Sequence, residues 1–183
     1  MDSGKKTINH VEIRKILPVQ DGYRMPGEYE PHRGCILIWP ERPGSWRNGA
    51  REAKKAFADV IRAIAKSEEV YLAASGKTFS EAEKLAQHLQ TDEALYPIRV
   101  FAAETDDAWA RDVGPTFVTD GQEVRGINWE FNAWGGTEDG LYASWEKDNR
   151  FAPFFCEKEG YTGMTQGRLC WKVVLSTAME REP

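Results

Sequence analysis

The chain has 183 residues, a formal net charge of -5, 41% hydrophobic residues and 29% charged residues. Those values describe a soluble globular protein with enough chain for a real core, and the acidic balance argues against a nucleic-acid partner while leaving room for a cationic small molecule. No apolar run approaches the ~18 residues of a membrane span, and the first ten residues hold no apolar signal core, so a cytoplasmic protein is expected.

Residues 1–20 read as a polar lead-in, followed by turn signals at Asp21-Gly22 and Met25-Pro26-Gly27. Cys35 to Trp39 is a short continuous apolar run, the pattern of a strand covered on both faces. It stops at Pro40, and Glu41 to Arg47 forms a loop. From Gly49 to Lys66, the apolar positions Ala53, Ala56, Phe57, Val60, Ile61 and Ile64 recur at helical spacing, and Asn48 is placed to cap the start.

Val70 to Ala74 reads as a second buried strand. Thr78 or Ser80 can cap a helix that turns Ala82, Leu85, Ala86 and Leu89 inward. Ile98 to Ala103 is a third strand, and Thr116 to Thr119 with Glu123 to Phe131 predicts a hairpin across Asp120-Gly121. Lys147 to Glu159 reads as a helix, and beyond Thr162 no period is evident. The order β-α-β-α-β, loop, β-β gives an α/β fold with a partly parallel sheet.

Between the third strand and the hairpin lies Glu104 to Phe117, which carries four carboxylates, Trp109 and Arg111 in a loop at a strand end. Asp112 can pair with a planar cation through two parallel hydrogen bonds, with Trp109 as a flat wall; equally it can pair with Arg111 or cap a turn. Asp106 and Asp107 fit a solvated loop edge as well as they fit acid–base chemistry. Trp39 and Trp46 suit packing more than ligand contact.

His10, His32 and His88 show no partners that would make any of them a base. Cys35, Cys156 and Cys170 lack metal or disulfide spacing, and Cys35 inside an apolar strand is expected to be inert. No metal or cofactor is implied.

Four stretches carry a resemblance: Asp21 to Pro31, Ile38 to Arg47, Asp107 to Phe117 and Trp129 to Gly136. In this order they are similar to agmatine deiminases, which belong with the bacterial-type peptidylarginine deiminases among guanidine-group-modifying enzymes. The resemblance covers residues 21–160. It implies a five-fold pseudosymmetric α/β propeller, of which this chain would hold about the first two blades. It also implies hydrolysis of agmatine to N-carbamoylputrescine and ammonia through a covalent cysteine intermediate, without a cofactor.

By motif, Asp112 would be a catalytic carboxylate gripping the guanidinium, Trp109 would lie against the substrate, and Trp39 would line it. The implied partner is a cationic small molecule, agmatine or alternatively peptidyl arginine, with homo-oligomers frequent in the family. The family's Leu-Glu-Gly-Gly-Ser-Ile-His stretch, its His-Val-Asp stretch and its C-terminal cysteine are missing from this sequence.

Residues 161–183 suggest a reason. Back-translated from the third base of the Cys170 codon, the tail permits Leu-Glu-Gly-Gly-Ser-Ile-His, with Leu forced by Cys170-Trp171 and Glu forced by Trp171-Lys172. The expectation is an aberrant, out-of-frame tail on a truncated chain that is inactive alone. The alternatives are a non-catalytic product and a cationic-amine-binding fragment.

Overall fold

A computed structural model describes residues 18–90 and 93–161 with their side chains, and the backbone of 12–14, 163–167 and 179–180. In chain order the elements are β1 (Glu12–Arg14), β2 (His32–Ile38), α1 (Arg51–Ile64), β3 (Glu69–Ala74), α2 (Phe79–Leu89), β4 (Ile98–Ala102), α3 (Ala110–Val113), β5 (Thr116–Thr119), β6 (Val124–Trp129), α4 (Gly136–Asp139), α5 (Glu146–Glu159), β7 (Gly163–Gly167) and β8 (Met179–Glu180).

These strands build two sheets. The first has the order β4-β3-β2-β8, with β2, β3 and β4 parallel and β8 antiparallel to β2. The second has the order β1-β7-β6-β5, parallel except for the β5–β6 hairpin. Parallel neighbours need crossovers, and α1 and α2 supply them within the first sheet. No helix among the described residues is long and apolar enough to cross a membrane.

Strand β3 shows why its sequence is a continuous apolar run. Val70, Leu72 and Ala74 face one core with Ile61, Ala65, Ala82 and Leu89 of the α1–α2 layer. Tyr71 and Ala73 face the opposite core, with Phe101, Phe117, Phe151 and Phe155. Successive strand residues alternate sides, so a strand buried on both faces must be apolar throughout.

Helix α5 is the wedge between the sheets. Tyr71 meets Phe155 edge-on at 5.7 Å, and Phe101 meets Phe151 at 6.4 Å. On its other side, a Cβ added at Gly126 of β6 would lie 2.4 Å from Cys156 Sγ, so helix and strand touch through a glycine.

Three local expectations change. Asn48 does not cap α1: Asn48, Gly49 and Ala50 form a left-handed turn with φ of 52°, 64° and 62°, and Asn48 serves the turn instead. The inner face of α1 is rotated from the one the spacing suggests, so Ala56 and Val60 are exposed while Ala58 and Ala65 pack inward. Thr78 stands at the cap position of α2, but its hydroxyl donates to Glu41 Oε2 at 3.0 Å. Strand β7 adds backbone pairing in a stretch without readable period. His10, Cys170 and most of the lead-in and the tail lie outside the described residues.

Candidate functional site

The Glu104–Phe117 stretch leaves the C-terminal end of β4, where parallel α/β sheets present ligand-binding loops. It contains the single turn of α3, with Asp112 N and Val113 N both donating to Trp109 O at 2.9 and 3.1 Å. Trp109 and Asp112 therefore stand at the two ends of one tight turn. Arg111 reaches away to Glu28 Oε1 at 3.0 Å, a partner other than the Asp112 weighed from sequence.

Asp106 and Asp107 are not a solvated edge. Asp107 is 4% exposed and accepts from every direction. Trp46 Nε1 donates to its Oδ1 at 2.8 Å, as does Ala108 N at 2.8 Å. Trp109 Nε1 donates to Oδ2 at 2.9 Å, and Ser45 Oγ donates to the same oxygen. A buried carboxylate must be hydrogen-bonded to persist, and here the donors are the indoles of the site itself. Asp107 thus fixes the tilt of Trp109 against Trp46, with centroids 5.6 Å apart and planes 30° from parallel.

Asp106 and Asp148 exchange contacts across two elements. Asp106 Oδ2 accepts from Lys147 N at 2.9 Å in the first turn of α5, where a carboxylate is favoured by the unpaired amides and the helix dipole. Asp148 Oδ1 in turn accepts from Asp106 N at 2.7 Å, and Tyr142 Oη donates to Asp148 Oδ2 at 2.6 Å. Burial pushes the Asp148 carboxyl above the usual carboxylate range, with the Tyr142 hydroxyl and the Asp106 amide pulling it back down. Arg42 lies 4.3 Å over the Tyr142 ring and donates to Asp106 O at 3.1 Å.

The neighbouring residue on α5 ties down the second loop. Asn149 Oδ1 accepts from Phe131 N at 2.8 Å, and Asn149 Nδ2 donates to Phe131 O at 3.1 Å. That pair holds the start of Phe131 to Gly136, where Trp134 meets Trp109 at 5.7 Å with planes at 85°. Sequence reasoning missed Asp107, Tyr142, Asp148 and Asn149 as organisers, and their residue types alone gave no signal.

Trp39 is 4% exposed in the α1-side core, edge-on to Phe57 at 6.2 Å. Phe57 also meets Trp46 at 6.4 Å, so Trp39 joins the Trp46–Trp109–Trp134 row through one intermediate ring. His88 is exposed, and His32 has Glu68 beside it, with Nδ1 3.6 Å from Oε2, a neighbour that sequence did not reveal. Burial pushes the thiols of Cys35 and Cys156 up to about 12, so neither is an activated nucleophile.

The Asp21 to Pro31 stretch joins the same neighbourhood. Arg24 holds the Glu30 carboxylate through two bonds of 2.7 Å, and Glu28 takes Arg111. The other three motif stretches therefore converge on the segment from Asp107 to Arg111, through Glu28–Arg111, Ser45 and Trp46 on Asp107, and Trp134 on Trp109.

Comparison with known proteins follows the same outline. The family model described as Porphyromonas-type peptidyl-arginine deiminase matches residues 24–175. Agmatine deiminase of Pseudomonas aeruginosa (strain LESB58) is 47% identical over 143 residues, which is 78% of this chain and 37% of that protein. A Listeria monocytogenes (strain F2365) protein, provisionally assigned as agmatine deiminase 1, is 50% identical over 141 residues, 76% of this chain and 36% of its own length.

Among solved structures, agmatine deiminase of Enterococcus faecalis superposes with a TM-score of 0.72 at 39% identity, covering 82% of this chain and 39% of that one. The chain thus spans under two-fifths of the length of these relatives.

Proposed function

Because the chain belongs to the Porphyromonas-type peptidyl-arginine deiminase family, we propose that residues 21–160 carry the guanidinium-gripping side of an agmatine deiminase-type site. The observation that carries this reading is the convergence of three other stretches on the segment from Asp107 to Asp112. A loop that only closed a strand end would not need a buried carboxylate with its indoles locked around it.

In this reading, Asp112 accepts the guanidinium N–H groups through paired, charge-assisted hydrogen bonds. Trp109 supplies the flat surface against which the planar cation lies. Asp107 acts through Trp109, and Trp39 acts through Phe57 and Trp46 rather than by contact. The names of the relatives favour agmatine, while the family's description keeps peptidyl arginine as the alternative substrate.

The chemistry proposed for the whole enzyme is thiolate attack on the guanidinium carbon, loss of ammonia and hydrolysis to N-carbamoylputrescine. The nucleophile and the proton-handling histidine would come from residues beyond this half-site, because Cys35 and Cys156 are held protonated. The two sheets would form the first blades of a five-bladed propeller, and residues 161–183 would be an out-of-frame tail. The nucleotide sequence beyond codon 160 tests that last point: a frame without the Glu-Gly-Gly motif refutes it.

The functional test compares ligands. Agmatine and methylguanidine should bind the purified chain better than putrescine does, with no ureido product formed. Equal binding of putrescine, or robust turnover of agmatine, would overturn the reading.

A further inference from the structure

Trp134 is the least buried of the three indoles around α3, at 47% exposed, although its neighbours Phe131 and Tyr142 are 7% and 4% exposed. The half-exposed indole leaves part of its ring surface open next to Trp109.

The backbone beneath it is unusual. Ala133 and Trp134 have φ of 53° and 64°, a left-handed conformation that residues with side chains rarely hold twice in succession. The surrounding loop enforces it. Leu141 N donates to Ala133 O at 2.9 Å, and Asn149 grips Phe131 just upstream. A Cβ at Gly135 would lie 2.3 Å from the Asp139 carbonyl carbon, and one at Gly140 would lie 2.2 Å from Gly136 O. Only glycine lets this loop close so tightly, and Trp134 stands on the closed loop beside Trp109.

Chemistry supplies the occupant. Glu138 and Asp139 are exposed on α4, four and five positions along the chain from Trp134. An exposed indole on a loop followed by two exposed carboxylates suits an alkylammonium group, through attraction to the ring face. The 5.7 Å between the Trp109 and Trp134 centroids is within the span of a four-carbon chain.

We propose that Trp134 is a second ligand-contacting wall, taking the ammonium end of a guanidino-alkylamine whose guanidinium lies at Trp109 and Asp112. This deepens the reading of the site given above and rests on it. Trp134 thereby selects for a free amine and against a tail that lacks one.

Fluorine NMR of the whole chain carrying 5-fluorotryptophan separates the two ends. Trp109→Phe and Trp134→Phe assign the two resonances. Should either variant fail to fold, Trp109→Tyr and Trp134→Tyr assign the resonances in their place. Butylguanidine should move the Trp109 signal, butylamine the Trp134 signal, and agmatine both. Trp134→Leu, which keeps an apolar side chain without a π face, should weaken agmatine about 3- to 10-fold while leaving butylguanidine within about 2-fold.

A Trp109 response to butylguanidine with a silent Trp134 under both amines would overturn this inference and leave the guanidinium reading standing. Silence of both rings under all three ligands would overturn both.

Discussion

Replacing Asp107 with alanine tests whether this carboxylate is the organiser of the site. Its side chain accepts from Ser45 Oγ, Trp46 Nε1, Ala108 N and Trp109 Nε1, and the residue is 4% exposed. A buried donor left without an acceptor costs about 1–3 kcal/mol. Ala108 N is buried and cannot turn elsewhere, whereas the Ser45 hydroxyl rotates and the two half-buried indoles regain some water. The sum is about 3–5 kcal/mol, at the upper end of what single substitutions do.

For a chain of this size that loss lowers the melting temperature by on the order of 10 °C. Asp107→Asn keeps the shape but turns an amide donor toward groups that are themselves donors, and it should cost about 2–3 kcal/mol. Urea denaturation gives the stabilities. Near-UV circular dichroism reports the Trp46–Trp109 pair, whose signal should fall in both variants. A loss below about 1 kcal/mol in Asp107→Ala, with the aromatic signal intact, would refute the assignment.

Other substitutions check the surrounding frame. Gly126→Ala should cost about 2–3 kcal/mol by overpacking against Cys156, and Cys156→Ala added to it should recover most of the loss in a double-mutant cycle. Asn149→Ala should cost about 1–2 kcal/mol by freeing the Phe131 backbone, and should raise acrylamide quenching of Trp134.

Glu30, held by Arg24 and then by the Gly27 amide, should titrate at about 2 instead of its ordinary 4.5. Its folded value is depressed, so its contribution is present above about 4.5 and is lost as pH falls through about 2. Carboxyl NMR should show the midpoint rising in Arg24→Ala. Cys35 and Cys156, pushed up to about 12, should resist iodoacetamide in the native chain and react after denaturation, as peptide mass spectrometry would show.

Much of the scaffold was legible because its signals are periodic. Val70 to Ala74 could only be a strand buried on both faces, and Ala82, Leu85, Ala86 and Leu89 could only be one helical stripe. Helix α1 shows the limit of that signal. Ala56 and Val60 match the spacing but face water, while Phe57, Ile61 and Ile64 of the same set pack into the core.

The organisers of the site were illegible for a different reason. Asp106 and Asp107 are adjacent and chemically identical in sequence, yet one sits at the first turn of α5 and the other lies inside a cage of indoles. Asp148 and Asn149 look like ordinary polar residues of an exposed helix. Their roles come from loops more than a dozen residues away, and no local pattern records that. Trp134 was visible as an aromatic beside a glycine pair, but its exposure and its left-handed backbone were not.

The central claim is that the turn from Trp109 to Asp112 grips a guanidinium. Calorimetric titration of agmatine into the purified chain and into Asp112→Asn tests it most directly, because the substitution keeps the side chain's shape while removing its charge and turning one acceptor oxygen into a donor. The account predicts saturable binding by the parent chain and at least about 10-fold weaker binding by the variant. Equal affinity in the two proteins, or no binding by the parent chain, would contradict it.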